Sequence, residues 1–309
     1  MNKLIIFLLL LTAAGANAQN YCQKHKWVKP INLTNAHNIT IKGDSINGDT
    51  VPCITLSHCH DIRIRHCFIG NSTKVGIFLE NCTNIKIDSV FVTNVATGVY
   101  AMDSFSISVT HCEGKNMLGP IPRGQFVQFD NVKGPGCRIN YNKFENILGK
   151  SVPEDAINVF KSNGTPNDPI QIIGNWIRGG GPSVTGSGIM LGDYGGSYEI
   201  AKDNILVNPG QVGMAIAGGN HISIINNKIY SKQQPFTNVG VYIWAQGGAA
   251  CSMDVISGNQ VNWTMKDGTP AHSWNAGNCG KVTGWDTNVL GAQIDESILP
   301  AQLLSPCNR

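Results

Sequence analysis

The chain has 309 residues, of which 35 are glycine and 10 are cysteine, and only 14% carry a charged side chain. This composition excludes an intrinsically disordered chain, which is richer in charge, and a coiled coil, which is poorer in glycine. The formal net charge of +3 provides no basic surface suited to nucleic acid, so that class of partner is excluded as well.

The N-terminal segment is typical of a secretory signal peptide. Lys3 supplies a positive charge, residues 4–11 form an apolar run, and the small residues Ala16 and Ala18 flank Asn17 at its end. We therefore predict cleavage near Ala18 and a secreted protein, extracellular or periplasmic. No later segment has the roughly 18 consecutive apolar residues of a membrane helix, so no membrane span is expected.

A short pattern recurs along the chain. The pattern begins with two apolar residues separated by one residue. After two further residues comes a fixed place occupied by Asn or a small residue, and a further apolar residue follows two positions later. The clearest copies are at 62–69, 85–92, 107–112, 137–144, 170–177 and 222–229. The fixed place repeats every 22 or 23 residues, or every 29 to 33 where a segment is inserted. Such a period indicates a solenoid.

A second short strand with alternating side chains follows each copy, and its β-branched residues favour stacked parallel strands over helices. Over about residues 30–265 the repeat resembles the right-handed parallel β-helix of the pectate-lyase-like superfamily. The resemblance implies an all-β, single-stranded solenoid of about nine coils of 22–33 residues. We expect one domain over residues 19–309, ending in a capping tail at 266–309.

Two columns of apolar side chains from the second strand of each coil are expected in the core. The first is Ile54, Ile77, Val99, Val127, Ile157, Ile189, Met214 and Val241. The second is Leu56, Leu79, Ala101, Phe129, Val159, Leu191, Ile216 and Ile243. The fixed polar place predicts a buried asparagine ladder that hydrogen-bonds neighbouring coils. Its members are Asn142, Asn175, Asn204, Asn227 and Asn259.

All ten cysteines follow the predicted cleavage position, and an even number in an exported chain favours disulfides over zinc. Cys59 and Cys82 occupy equivalent places on adjacent coils, roughly 5 Å apart, which predicts a bond between them. Cys67 and Cys112 are expected as stacked core residues. Four further cysteines are expected to join the chain at the two ends of the solenoid: Cys22, Cys251, Cys279 and Cys307.

Insertions in a solenoid collect on one side and form binding loops. The long spacings place them at 117–125, 149–168, 179–198 and 231–250, around the outward face of the second strands. Alternation predicts one outward column of Tyr100, Gln128, Asn158, Met190 and Tyr242, and a second of Met102, Asp130, Phe160, Gly192 and Trp244.

Aromatic rings beside amides and carboxylates suit a sugar chain, because rings stack on sugar faces and polar groups bind hydroxyls. We therefore predict a polysaccharide or oligosaccharide substrate bound by a monomer. The alternative is a broad sheet that exposes aromatic residues without a ligand. The candidate binding residues are Arg123, Gln128, Asp130, Asn158, Tyr242 and Trp244.

Residues 153–164 resemble the coil of polygalacturonase-type β-helix hydrolases that carries paired acids before a strand and Lys-Ser-Gly after it. The acids here are Glu154 and Asp155. The flanking coils lack that family's Asn-Thr-Asp, Gly-His-Gly and Arg-Ile-Lys motifs. The resemblance therefore implies an acidic site without implying the hydrolytic mechanism.

Two cleavage reactions fit such a site. Hydrolysis needs two carboxyl groups about 5 to 9.5 Å apart, and Asp130, Asp155 and Asp193 lie on three successive coils. A structural alternative is that Asp155 caps a turn while Asp193 forms an ion pair with Lys161. We favour the second reaction, β-elimination of a uronate-containing glycan, which would make the protein a polysaccharide lyase.

Elimination needs a base and a group that stabilises the charge on the uronate. Lys161 and Arg178 are the candidate bases, and Asp155 is the third predicted catalytic residue. Arg123 is the candidate cation that holds the negative charge of the uronate. Glu154, Asp155 and Asp193 supply hard oxygen ligands suited to Ca²⁺. A glycoside hydrolase, a uronate epimerase and a non-catalytic carbohydrate-binding or cell-surface protein remain alternatives, because the fold alone does not determine function.

Overall fold

Each coil of the chain contributes three short strands separated by bends, and equivalent strands of successive coils pair in parallel. The computed structural model describes residues 27–306, so the predicted signal peptide, Cys22 and Cys307 lie outside the described residues. The three sheets that result form a right-handed parallel β-helix, as the sequence predicts.

The strands alternate between the sheets in chain order, and the described residues also form three single-turn 3-10 helices, the last of which follows the final strand. The first sheet contains Trp27–Val28, Ser45–Asp49, Phe68–Ser72, Phe91–Val95, Glu113–Met117, Lys143–Glu145, Trp176–Arg178, Ile205–Val207, Lys228–Ser231, Gln260–Trp263 and Val289–Leu290. The second sheet contains Ile31–Thr34, Ile54–Ser57, Ile77–Glu80, Val99–Met102, Val127–Asp130, Ile157–Phe160, Ser187–Asp193, Val212–Ile216, Val239–Ile243 and Ser273–Asn275. The third sheet contains Thr40–Lys42, His60–Arg65, Thr83–Asp88, Phe105–Thr110, Arg138–Asn140, Ile170–Ile173, Ser197–Lys202, Gly219–Ile225, Cys251–Ser252 and Val255–Ser257. The 3-10 helices are Gln246–Gly248, Trp285–Thr287 and Glu296–Ile298.

Both predicted core columns are confirmed. Ile77 pairs with Val99 and Val99 with Val127, and the same register continues through Ile189 and Met214. Every side chain of the two columns is buried. Because residues two apart in a strand point to the same face, this register turns the intervening residues of the second sheet outward.

The predicted asparagine ladder is also confirmed. Asn175 Nδ2 donates to Asn204 Oδ1 at 2.9 Å, and Asn204 Nδ2 donates to Asn227 Oδ1 at the same distance. Each of these oxygens also accepts from the backbone N–H of the preceding asparagine in the ladder. Asn288 extends the ladder by one member, since it accepts from Asn259 Nδ2 at 2.7 Å. The ladder therefore satisfies buried backbone groups at one bend of every coil that it crosses.

The cysteine predictions have mixed outcomes. Cys59 and Cys82 are both free thiols, so the predicted bond is wrong. Stacked residues on adjacent coils have nearly parallel Cα–Cβ vectors, whereas a disulfide needs vectors that converge. The two thiols instead donate to carbonyls of the preceding coil. Cys67 and Cys112 are buried free thiols as predicted. Cys251 and Cys279 form a disulfide near the C-terminal end of the solenoid.

The repeat continues further than the sequence pattern predicts. Ser273–Asn275 adds a tenth strand to the second sheet and Val289–Leu290 an eleventh to the first, although both lie in the predicted capping tail. The sheets of ten and eleven strands agree with the expected solenoid of about nine coils, with short additions at its C-terminal end. Insertions between these strands interrupt the spacing on which the repeat was recognised.

A tail segment, residues 295–306, then turns back across the outer face of the first sheet. Leu299, Leu303 and Leu304 pack in one buried cluster with Phe68 and Phe91. The backbone carbonyls of residues 300 and 301 accept hydrogen bonds from a guanidinium of the first sheet, and Ser305 donates twice to a carboxylate there. The tail segment thus covers the apolar outer face of this sheet. No helix within residues 27–306 is long and apolar enough to cross a membrane.

Candidate functional site

The outward face of the second sheet contains a polar cleft of about 390 Å³, bounded on one side by the insertion at 117–125. Four of its lining side chains are acidic and one is a guanidinium. The lining residues are Tyr100, Ile121, Pro122, Arg123, Gln125, Gln128, Asp130, Glu154, Asp155, Asn158, Phe160 and Asp193. Four of the six predicted binding residues therefore meet in one cleft, together with all three predicted metal ligands.

One amide organises the centre of the cleft. Asn158 Nδ2 donates to Asp155 Oδ2 at 2.7 Å and to Asp193 Oδ2 at 3.0 Å, while Asn158 Oδ1 accepts from Gln128 Nε2 at 2.9 Å. All the polar atoms of this amide are thus in use. Two oxygens that accept from the two hydrogens of one nitrogen lie roughly 5 Å apart. Asp155 and Asp193 therefore form a pair of carboxyl groups held at a fixed separation.

A β-bulge brings Asp193 into the cleft. Asn158 pairs with Met190, but Phe160 pairs with Asp193, so the later strand contains one extra residue between these positions. Strict alternation places Gly192 in the outward column, and that prediction is wrong. Gly192 adopts a left-handed backbone conformation with φ of 58° and absorbs the extra residue. The bulge thus places a carboxylate at a position where alternation predicts a glycine.

The two paired carboxyl groups differ from ordinary acids in their proton affinity. Burial raises the pKa of Asp155 to about 7, although hydrogen bonds from Ser187 and Asn158 oppose the change. Burial also raises the pKa of Asp193, and Asp130 and Glu154 add to the increase through charge repulsion. Near neutral pH the pair therefore includes a carboxyl group that can hold a proton and exchange it.

The residues around Asp155 and Glu154 fix both acids. Ser187 donates its backbone N–H to Asp155 Oδ1 at 2.8 Å and donates its hydroxyl to the same oxygen. Asp155 therefore also caps the following coil, which is the structural role foreseen for it. Ser183 and Thr185 donate their hydroxyls to the two carboxylate oxygens of Glu154.

A second polar group lies at the N-terminal side of the cleft. The Tyr100 hydroxyl donates to Asp130 Oδ2 at 2.7 Å, and the Arg123 guanidinium lies over the Tyr100 ring at 4.5 Å from its centre. Burial and the Asp130 carboxylate raise the pKa of Tyr100 to about 12. Tyr100 is therefore protonated at neutral pH and acts as a hydrogen-bond donor.

The arrangement does not fit the predicted calcium site. Both oxygens of Asp155 and both oxygens of Glu154 already accept hydrogen bonds, and Asp193 Oδ2 accepts from Asn158. A raised pKa also weakens Asp155 as a ligand near neutrality, because a carboxyl group must be ionised to hold Ca²⁺ well. Among residues 27–306, no group of three or more His, Cys, Asp and Glu side chains is placed to hold a metal ion.

The two candidate bases are in different places. Lys161 lies at the rim, where its ammonium group is 4.9 Å from the centre of the Phe160 ring and 5.8 Å from that of Tyr194. Arg178 belongs to the first sheet and donates to the carbonyls of Pro300 and Ala301. The structure therefore separates Arg178 from the cleft, because its strand faces the tail segment. In the sequence, Arg178 lies next to an insertion, and this position alone does not indicate whether the residue belongs to the first or the second sheet.

Aromatic residues lie further along the same face, toward the C-terminal end of the solenoid. Tyr242 is only 8% exposed, and its hydroxyl lies 3.4 Å from Gln246 Oε1. Tyr242 was predicted to bind sugar, but its ring has no exposed face on which a sugar could stack. Trp244 is 39% exposed, and Trp274 is 48% exposed with its ring centre 6.0 Å from that of Trp244. Trp274 was not predicted, because it lies in the segment where the repeat is lost.

An apolar groove of about 640 Å³ adjoins the cleft on the N-terminal side, and the two share Tyr100 and residues 121–123. Phe78, Val75 and Pro52 belong to its lining. Together, the groove, the cleft and the Trp244–Trp274 pair follow the solenoid axis along one sheet. Neighbouring coils are about 4.8 Å apart, close to the length of one sugar unit, so this face can contact an extended chain.

Comparisons with known proteins concern the fold. No protein-family model matches the chain, and no curated protein matches it in sequence. The crystal structure of an alginate lyase from Paenibacillus sp. superposes with a TM-score of 0.56 at 15% identity, over 86% of this chain and 95% of that chain. The tailspike protein of Acinetobacter baumannii phage AM24 has a TM-score of 0.50 at 12% identity, over 86% of this chain and 48% of the tailspike. At these identities the similarity shows a common parallel β-helix fold.

Proposed function

We propose that the protein hydrolyses glycosidic bonds of a polysaccharide that lies along the second sheet. The observation that carries the proposal is the Asp155–Asp193 pair, whose two carboxyl groups accept from one amide nitrogen of Asn158. Glycosidases use two such groups, one as proton donor and one as nucleophile or base. The similarity in fold to a solved alginate lyase supports a polysaccharide as the ligand without deciding the reaction.

The roles within the pair follow from burial and proton affinity. Asp155, buried and with a pKa of about 7, donates the proton to the leaving oxygen. Asp193, which is half-buried, attacks the sugar as a carboxylate. Water activated by the deprotonated Asp155 then releases the glycosyl group. A separation of roughly 5 Å is that of retaining enzymes, since inverting enzymes leave room for a water between the two acids.

The charge of the cleft favours a neutral glycan over a uronate polymer. Asp130, Glu154, Asp155 and Asp193 line the cleft, and Arg123 is the one cation among its lining residues. A polyanionic substrate would be repelled by this surplus of acids. The arrangement fits no metal ion that would offset the repulsion. Like charges at such short range disfavour binding strongly inside a partly buried site.

β-Elimination, the reaction that the sequence favoured, is the second candidate. The specific observation in its favour is the Arg123 guanidinium beside Tyr100, because a cation and a hydroxyl donor together could hold the carboxylate of one uronate. Lys161 at the rim is then the candidate base. Undiminished elimination by K161A would remove Lys161 from that role.

The test measures two products in one assay. Purified protein is incubated with neutral and acidic polysaccharides, with calcium and with chelator, and both new reducing ends and absorbance of unsaturated uronates are recorded. Hydrolysis predicts reducing ends without the absorbance and no effect of chelator. Absorbance of unsaturated uronates that rises together with the reducing ends would show that the reaction is elimination and not hydrolysis. Loss of that absorbance with chelator would support the predicted calcium site.

The acid pair has its own control. D155N and D193N should each lower kcat/KM by about 100-fold or more, whereas D203N, which changes an exposed acid on the third-sheet side, should not. NMR of the first product should show retention of the anomeric configuration. Binding of glycans without either product would contradict an enzymatic function.

The Cys251–Cys279 disulfide supports the proposal that the protein is exported to an oxidising compartment.

A further inference from the structure

Glu199 is a buried acid beneath the end of the second-sheet strand that carries Asp193. It belongs to the third-sheet strand Ser197–Lys202, points into the solenoid and is 1% exposed. Its Oε2 accepts the backbone N–H of Gly192 at 2.9 Å. Its Oε1 has no hydrogen-bond partner within the described part of the chain.

The position of Glu199 is occupied by isoleucine in the two adjacent coils, and the coil beyond Ile222 places a second buried acid, Asp254, there. Its register partners on the two adjacent coils are Ile170 and Ile222, and the column begins with Ile62 and Ile85. An acid among these residues loses solvation and packs less well than isoleucine, so it weakens the core. Stability of the solenoid therefore does not explain this side chain.

The β-bulge explains what Glu199 can do. The extra residue at Gly192 turns a backbone N–H toward the interior, where the sheet provides no carbonyl in register for it. Such a buried donor needs an acceptor. The adjacent loop leaves space for the acid, since a Cβ on Gly196 would come within 2.6 Å of Glu199 Oε1.

We infer that Glu199 is a positioning residue that holds the Gly192 bulge and thereby keeps Asp193 in the cleft. Without the acceptor, the strand can regain regular pairing by placing Gly192 opposite Phe160. Asp193 would then leave the outward column and lose its hydrogen bond from Asn158. The effect on catalysis rests on the proposed function, whereas the effect on the position of Asp193 does not.

The test compares E199M with E199Q. E199M keeps an unbranched side chain of similar length and removes the acceptor, while E199Q keeps a carbonyl oxygen for Gly192. We expect E199M to lower kcat by about 100-fold through misplacement of Asp193, and E199Q to stay within about threefold of the wild type. E199M should match or exceed the wild type in thermal stability, which a general loss of structure would not produce.

A pH profile separates positioning from general damage. Ionisation of Asp193 in the native cleft, where burial and nearby acids raise its pKa, sets the acidic limb of the profile, so displacement of Asp193 should shift that limb from its wild-type position. E199M should show this shift and E199Q should not. Equal profiles for E199M and the wild type would overturn the inference.

Crystal structures of the variants give a readout without substrate. We expect Gly192 opposite Phe160 in E199M and the native bulge in E199Q. An unchanged bulge in E199M would refute the inference even if the enzyme were active. If E199M does not fold, E199I, which matches the residues above and below it, allows the same comparison. A displaced Asp193 in a protein without activity on any glycan would uphold the inference and reject the proposed function.

Discussion

Asp155 and Asp193, on neighbouring coils, are joined through a single nitrogen atom, Nδ2 of Asn158, at 2.7 and 3.0 Å. Each N–H bond stabilises the ionised form of its carboxyl group and lowers the pKa. The proton affinities of the two acids therefore depend on one side chain. A change at residue 158 should affect both acids together.

The first prediction concerns N158A. Loss of the two N–H donors should raise the pKa of Asp155 and Asp193, so the acidic limb of the kcat/KM profile should move to higher pH and the maximum should fall at least about tenfold. Steady-state rates across the pH range test this. N238A, at an exposed site, should leave the profile unchanged. An unshifted limb in N158A would mean that the amide does not tune the pair.

The second prediction concerns stability against pH. Burial raises the pKa of Asp254 from 3.8 to about 7, although the Ile222 N–H opposes the change. The folded chain therefore holds a proton that the unfolded chain releases at lower pH. This stability is fully present below pH 3.8 and is lost as pH rises through about 7.

D254N should flatten this dependence, because its amide is neutral and still offers an oxygen to Ile222. Thermal unfolding of the wild type should show a Tm lower by about 3–6 °C at pH 8 than at pH 5. The difference should be smaller in D254N and unchanged in D203N. An equal difference in D254N would show that Asp254 does not contribute to it.

The third prediction concerns the exposed tryptophan pair. W244A and W274A should each raise KM by about 5- to 20-fold on a long polysaccharide with little change in kcat, because stacking lies away from the acids. Short oligosaccharides that do not reach the pair should show no change. Y141A removes an exposed ring on another side of the solenoid and is the control. Equal KM values for W244A, W274A and Y141A would exclude the pair from substrate binding.

The fourth prediction concerns the ladder. N204A leaves the N–H groups of Asn175 and the carbonyl of Ile172 without their buried partners, so the free energy of unfolding should fall by about 2–4 kcal/mol. Urea denaturation measures the change, and N238A should stay within about 0.5 kcal/mol of the wild type. A loss as small as that of N238A would contradict a stabilising ladder.

The regular part of the fold is predictable because the same requirement recurs in every coil. Ile54, Ile77 and Val99 share one register, and Asn175, Asn204 and Asn227 share one bend, so each copy supports the interpretation of the next. Most of the residues predicted to bind sugar meet in the cleft for the same reason. Alternation from a correctly placed core column determines which side chains face outward.

The exceptions arise where the chain departs from that repetition. The bulge at Gly192 adds one residue to the strand. Alternation alone does not reveal it, because the core residues of this strand stay buried with or without the extra residue. Arg178 lies in a recognised strand, but its side chain binds a tail segment that is distant in sequence. Trp274 lies beyond an insertion that interrupts the period. Glu199 has an ordinary sequence neighbourhood, and its role depends on a contact with the second sheet.

The tail segment changes how the solenoid can come apart. In a simple repeat array each coil contacts only its neighbours, so terminal coils can detach singly. Here Glu113 accepts two hydrogen bonds from Ser305, and Arg178 binds the same segment at Pro300, so coils that are far apart along the axis are tied together. Fraying at one end must first free contacts in the middle. The array therefore gains the cooperativity of a closed structure, with fewer partly open states accessible to proteases.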